Sequence, residues 1–188
     1  MRAFLAIPLP DAVADALEDL QAELPVGRIV PRENLHLTLA FLGEEPEGVI
    51  ESVHEALLQF RANVFDLELA GLGTLGGRAP AILHIAAARS GSLRDLHVRL
   101  RNRIHGTGLM LARERFAPHV TLARFRRNIS SSDLARLGHF LALRADTRLA
   151  PFPVAHFSLF RSMLGSGPPV YEELARYPLE VSGASDAP

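Results

Sequence analysis

Leu35-His36-Leu37-Thr38-Leu39-Ala40 and Pro118-His119-Val120-Thr121-Leu122-Ala123 are one pattern written twice, once in each half of a 188-residue chain. Each copy alternates polar and apolar residues, the period of a strand whose two faces meet different surroundings. His36 and Thr38 then share one face, with Leu37, Leu39 and Phe41 on the other. His119 and Thr121 likewise share a face, backed by Val120 and Leu122. The apolar face anchors each strand in a core, which leaves the polar face free to look into a cleft.

Working outward, the order of elements around the two copies also matches. In the first half, Arg2–Pro8 reads as a strand, and Asp11 is placed to cap a helix carrying Val13, Leu17, Leu20 and Leu24 at helical spacing. Leu35–Leu42 is the motif strand. A helix from Pro46 follows, with Val49, Val53, Leu57 and Phe60 inward, then a strand Phe65–Ala70 and a glycine-rich loop Gly71–Pro80. In the second half, Ala81–Ala87 is a strand. Ser92 is placed to cap a helix with Leu93, Leu96, Leu100 and Ile104 inward, ended by Gly106 and Gly108. The motif strand His119–Phe125, a helix Ser132–Leu143, a strand Val154–Phe160 and a terminal strand Tyr171–Val181 complete it. One copy of the motif per half marks an internal duplication rather than a short-period solenoid. The expected fold is α+β, a single domain over 1–188. It has two pseudo-symmetric lobes, roughly 1–80 and 81–181. Each lobe is an antiparallel sheet with helices packed outside, and a cleft lies between the two. Residues 182–188 read as a frayed tail.

Composition narrows the classes of function. With 48% apolar residues the chain can bury a sizeable core. The formal net charge is −1, so whole-molecule attraction cannot gather a polyanion, and any nucleic-acid contact must come from a local basic patch. All 20 basic side chains are arginine. The absence of cysteine excludes disulfides, thiolate metal sites and a cysteine nucleophile. No stretch is long and apolar enough to span a membrane, and the start lacks the features of a cleavable leader. A cytoplasmic monomer is the expectation, with no cofactor and no membrane partner.

A histidine on one strand is an ordinary structural residue. Two of them, each on the middle strand of its half, meet across a pseudo-twofold axis together with two hydroxyls. Imidazole titrates near neutral pH, so one ring can be neutral while the other is charged. The neutral ring takes a proton from a nucleophile and the cationic ring gives one to a leaving oxygen. In-line displacement at phosphorus needs those two jobs on opposite sides of one atom. Thr38 and Thr121 can then donate to the non-bridging oxygens. Arg124 follows His119 at an odd offset, which on a regular strand would send it to the opposite face. A strand end or the length of its side chain could still bring its guanidinium round.

These residues resemble the two-histidine phosphoesterases, in particular the RNA 2′,3′-cyclic phosphodiesterases, also called 2′-5′ RNA ligase-like proteins. The resemblance runs from Arg2–Pro10 through Asn34–Gly43 and Phe116–Arg124 to Phe157–Ser162 and Gly167–Tyr171. It implies hydrolysis of RNA 2′,3′-cyclic phosphate ends to 2′-phosphomonoesters without a metal, and a possible weak reverse 2′-5′ ligation. It also implies His36 as proton donor, His119 as proton acceptor, and Thr38, Thr121 and Arg124 as phosphate ligands. RNA ends or cyclic-phosphate nucleotides are the implied substrates. One feature departs from the family: where a lysine often follows the first motif, this chain has Ala40.

Two other readings stand beside this one. One is a related phosphodiesterase acting on a nucleotide or ADP-ribose-type cyclic phosphate. The other is a non-catalytic nucleotide or RNA-binding module, against which the two complete motifs argue. The remaining histidines read as structural or surface residues. His54, His97, His105 and His139 fall on helices, and His84 and His156 fall on strands that could border the cleft. Arg126 and Arg127 are expected near the cleft as RNA contacts. His97 and His105 lie on an arginine-rich helix and read as surface, the alternative being an RNA-binding stripe formed with Arg94, Arg99, Arg101 and Arg103.

Overall fold

The computed structural model describes residues 1–77, 79–113, 115–165 and 167–181. Ten strands and four α-helices are found among them: β1 Arg2–Pro8, α1 Asp11–Ala22, β2 Arg28–Ile29, β3 His36–Glu44, α2 Glu47–Leu58, β4 Phe65–Leu67, β5 Leu69–Gly76, β6 Pro80–Ala87, α3 Gly91–His105, β7 His119–Arg124, α4 Ser131–Arg144, β8 Phe152–Val154, β9 His156–Met163 and β10 Val170–Pro178. Seven strands form an antiparallel sheet in the order β10-β9-β1-β3-β7-β6-β5, with β2 added on β7, and β4 pairs β8 apart from it. The class is α+β, as the alternating motif strands require. None of the described helices is long and apolar enough to cross a membrane.

The motif strands β3 and β7 lie side by side at the centre of the sheet and share one registered pair, Leu37 with Val120. Both side chains are fully buried. Each gains about 1.5–3 kcal/mol on leaving water, and a one-residue slip would turn every apolar side chain outward, so the register is strongly specified. Beyond that pair the strands part, and β2 takes over from β3 as the neighbour of β7, pairing Arg28 with Arg124 and Ile29 with Ala123. The sequence halves exchange strands: β9 of the second half pairs β1, and β5 of the first half pairs β6. Behind the sheet one continuous core takes in Leu17 and Leu20 of α1, Val53 and Leu57 of α2, Leu96 and Leu100 of α3, and Leu137 and Phe140 of α4.

Several local expectations need correction. The stretch expected as a glycine-rich loop over Gly71–Pro80 is mostly strand, because pairing with β6 satisfies its backbone whatever its side chains. Gly73 has a specific reason to lack a side chain, since a Cβ there would come within 2.8 Å of the His84 ring. Asp11 does not cap α1; Pro10 holds the N-cap position and Asp11 begins the helix. Ser90 rather than Ser92 caps α3, its hydroxyl accepting from the Leu93 amide at 3.2 Å. Ile50, not Val49, completes the buried face of α2, and the stretch Val154–Phe160 is split between β8 and β9. The two-residue strand β2 is too short to leave a periodic signal. The tail 182–188 lies outside the described residues.

Candidate active site

Each motif strand carries a bulge at the same place. In β3, Thr38 faces Ala6 and Ala40 faces Leu5, which leaves Leu39 without a partner on β1. In β7, Thr121 faces His84 and Ala123 faces Leu83, which leaves Leu122 without a partner on β6. The extra residue resets the alternation. Leu39 and Ala40 are both buried, as are Leu122 and Ala123, so the next residue returns to the histidine face. Phe41 is therefore not on the core face with Leu37 and Leu39; it is 62% exposed and lines the cleft. The same bulge removes the geometric difficulty with Arg124, which lies on the cleft side with His119 and Thr121.

Both bulges are held from behind by a helix side chain. The Leu39 carbonyl accepts from Nδ1–H of His97 on α3 at 2.9 Å. The Leu122 carbonyl accepts from Nε2 of Gln21 on α1 at 2.8 Å, and from the Val30 amide at 2.9 Å. The second amide hydrogen of Gln21 goes to the Val30 carbonyl at 2.9 Å, so both hydrogens of this buried amide are engaged and tie the β2 segment to β7. His97, expected on the surface, is half-buried and stacks on Phe116 with ring centroids 3.7 Å apart. A buried carbonyl left without a donor costs about 1–3 kcal/mol, which gives both polar side chains a reason to be where they are.

The cleft where β3 and β7 part has a volume of about 540 Å³. His36, Thr38, His119, Thr121 and Arg124 all line it, joined by Arg2, Arg28, Phe41 and Tyr171. The two imidazoles are tethered alike. Nδ1–H of His36 donates to the Asn34 carbonyl at 2.9 Å, and Nδ1–H of His119 donates to the Ala117 carbonyl at 2.8 Å. With Nδ1 committed, the second nitrogen of each neutral ring is the one free to accept a proton. Nε2 of His36 accepts from the Thr38 hydroxyl at 3.1 Å.

Their surroundings differ, and here the duplication is broken. His36 is caged by Phe4, with ring centroids 4.9 Å apart, and by the edge of Tyr171 at 5.3 Å. Burial is the main reason its pKa falls to about 4; the nearby positive charge of Arg124 lowers it further, and the Asn34 carbonyl works the other way. His119 has a second histidine beside it. His84 on β6 packs edge-on against its ring at 5.0 Å and donates Nδ1–H to the Gly73 carbonyl at 3.0 Å. Burial lowers the His84 pKa to about 4 as well, with His119 a smaller cause.

Of the arginines expected near the cleft, Arg126 lines an adjoining groove, and Arg127 lines neither. The arginines of α3 are outside the cleft. Arg101 donates to the Leu111 and Ala112 carbonyls, and Arg103 to the Gln59 carbonyl. Among the described residues, no three histidine or carboxylate side chains converge as metal ligands would.

A fold of this topology, with two His-x-Thr motifs on adjacent strands facing one cleft, defines a two-histidine phosphoesterase. The sequence model of the 2'-5' RNA ligase superfamily matches residues 9–164, and the chain belongs to that family. An RNA 2',3'-cyclic phosphodiesterase of Geobacillus stearothermophilus is 33% identical over 94% of this chain, which spans only 56% of that relative's length. A protein of the same name from Aeropyrum pernix is 30% identical over 84% of this chain and 87% of its own. Among solved structures, E. coli LigT complexed with 3'-AMP superposes with a TM-score of 0.75, at 26% identity, over 95% of this chain and 97% of that one.

Proposed function

We propose that this cleft hydrolyses RNA 2′,3′-cyclic phosphate ends to 2′-phosphomonoesters, with no metal and with His36 as proton donor and His119 as proton acceptor. The observation that carries the reading is the matched tethering of the two imidazoles. Each has Nδ1 fixed to backbone, and the second nitrogen is left for proton transfer in a cleft shared with Thr38, Thr121 and Arg124. Nε2 of His119 takes a proton from water as the water oxygen bonds to phosphorus. The bond from phosphorus to the 3′ oxygen breaks, and that oxygen takes the proton from Nε2 of His36. Thr38, Thr121 and Arg124 hold the non-bridging oxygens as their charge grows. With a 5′-hydroxyl end in place of water as the attacking group, the same forward steps give weak 2′-5′ ligation. The names of the relatives support the substrate, the LigT complex agrees with a nucleotide ligand, and exposed Phe41 offers a flat face to a base.

The test is product analysis on an oligonucleotide ending in a 2′,3′-cyclic phosphate, with EDTA present throughout. The expected result is undiminished turnover and an end that carries its phosphate on the 2′ oxygen. Turnover abolished by EDTA and restored by a divalent metal would overturn the metal-free route, and a mainly 3′-phosphate product would overturn the direction of opening.

The burial of His36 makes a second prediction. At neutral pH a His36 with a pKa of about 4 is uncharged, so it can donate only if a bound anion raises that value. Binding must then take up a proton. Affinity for sulfate, whose own charge does not change in this range, is therefore expected to strengthen as pH falls from neutrality toward 4. The His36 ring resonances should titrate at a higher pH with sulfate bound than without it. Sulfate affinity independent of pH, with unmoved His36 resonances, would remove His36 from the donor role.

A further inference from the structure

The active-site cleft does not end at Arg124. Beyond the β2–β7 pair a second groove opens, lined by Gly27, Arg28, Arg124, Phe125, Arg126 and Asn128 among others, so Arg28 and Arg124 form the wall common to both. The wall is firmly built for so short a strand. Arg28 and Ile29 are exposed, yet the segment is fixed by pairing with β7, by the Gln21 amide and by Gly27 packed on the Phe125 ring. Gly27 has φ +103°, and a Cβ there would fall 2.8 Å from the Phe125 ring. Only glycine fits both conditions, and the turn it makes delivers Arg28 to the wall.

The charges along this path are free for a ligand. Among the described residues Arg28, Arg124 and Arg126 have no ion-paired carboxylate, whereas Arg32, Arg136, Arg144, Arg148 and Arg176 do. Among the described residues Asp133 is the sole carboxylate lining the second groove, and its charge is engaged by Arg136. In a chain of net charge −1, three unpaired guanidiniums running from the reacting centre into an adjoining groove make a local track for a second anion.

We propose that the second groove is a subsite for the phosphodiester on the 5′ side of the cyclic end, with Arg126 its ligand and Arg28 shared between the two phosphates. This rests on the RNA reading above and deepens it: the substrate is the end of a strand, not a cyclic mononucleotide. The reacting phosphate then lies among the histidines and the next phosphate crosses the Arg28–Arg124 wall.

The experiment compares three substrates: a 2′,3′-cyclic mononucleotide, a dinucleotide with one internal phosphodiester and a cyclic end, and a longer oligonucleotide with the same end. Wild type is expected to favour the dinucleotide over the mononucleotide by about tenfold or more in kcat/KM, since one charged phosphate contact is gained. Arg126→Gln should lose roughly that factor on the dinucleotide and the oligonucleotide and stay within about twofold on the mononucleotide. Its salt slope on the oligonucleotide should be shallower by about one phosphate contact. An unchanged thermal midpoint shows that the variant is folded. A wild type that opens all three substrates equally would overturn the subsite alone, as would an Arg126→Gln variant that loses equally on all three. A wild type that leaves every cyclic end intact would overturn the parent reading and the subsite with it.

Discussion

His119→Ala should lower kcat by roughly 10²–10⁴ on an RNA cyclic phosphate, the usual worth of a general acid or base, and His36→Ala should do the same. The two losses will look alike on the natural substrate and come apart on an activated one. A proton donor matters when the departing oxygen is a poor leaving group such as a ribose hydroxyl. It matters little when the oxygen departs as a stable anion such as nitrophenolate. The base that activates water is needed in both reactions. His36→Ala is therefore expected to recover most of its activity on a nitrophenyl phosphodiester that wild type turns over, while His119→Ala stays impaired on both. The measurement is kcat/KM for each variant on each substrate. The opposite pattern would exchange the two roles, and equal losses throughout would mean that neither ring protonates the leaving group. A pH profile alone cannot make the assignment, because two rings close in one site titrate as a pair.

The asymmetry around the two rings bears on why the roles should differ at all. A duplicated motif alone supplies two equivalent histidines. The lobes diverge around them: Phe4 and Tyr171 wall in His36, and His84 stands beside His119. A buried ring releases its proton readily to a departing oxygen once a phosphate has forced the proton on, which suits a donor. His84 occupies its place only because Gly73 has no side chain, so this packing depends on two adjacent strands at once.

The motif strands, the central pair of histidines and the α+β class were legible because they rest on period-two alternation and on repetition, which are local signals. The buried faces of α1 and α3 were legible for the same reason, with Leu17, Leu20, Leu93, Leu96, Leu100 and Ile104 all in the core. What could not be read were features that exist only between segments. The bulges at Leu39 and Leu122 depend on how β1 and β6 register against β3 and β7. A strict alternation therefore misplaced Phe41 and made Arg124 look wrong. A signal was present: two apolar residues in succession, Leu39-Ala40 and Leu122-Ala123, at the same distance from each histidine. β2 and Gly27 carried no pattern, because their position is dictated by Phe125 and Gln21, which are far from them or unremarkable in sequence.

That bulge makes the second large prediction. Arg124→Ala is expected to cost about 10²–10³ in kcat/KM, the usual effect of removing one donor to the charge that develops on a transferred group. Arg124→Lys should recover only part of it, since a point charge cannot span two oxygens as a guanidinium does. If the loss came merely from a missing positive charge, the lysine variant would be close to wild type, and that outcome would reduce Arg124 to an electrostatic background. The position of Arg124 can be tested separately from its charge. Gln21→Leu keeps similar bulk behind the sheet but removes the side-chain amide hydrogens given to the Leu122 and Val30 carbonyls, and leaves Leu122 with the Val30 backbone amide. With both arginines intact, its kcat/KM should still fall by about tenfold, because an error of about 1 Å in placing a group is enough to cost that much. The loss should appear on the mononucleotide as well as on longer ends, which separates it from Arg126→Gln. A folded Gln21→Leu protein with wild-type kcat/KM would show that β7 holds its bulge without help from α1. The idea that a buried amide on the far side of the sheet places the phosphate ligand would then be wrong.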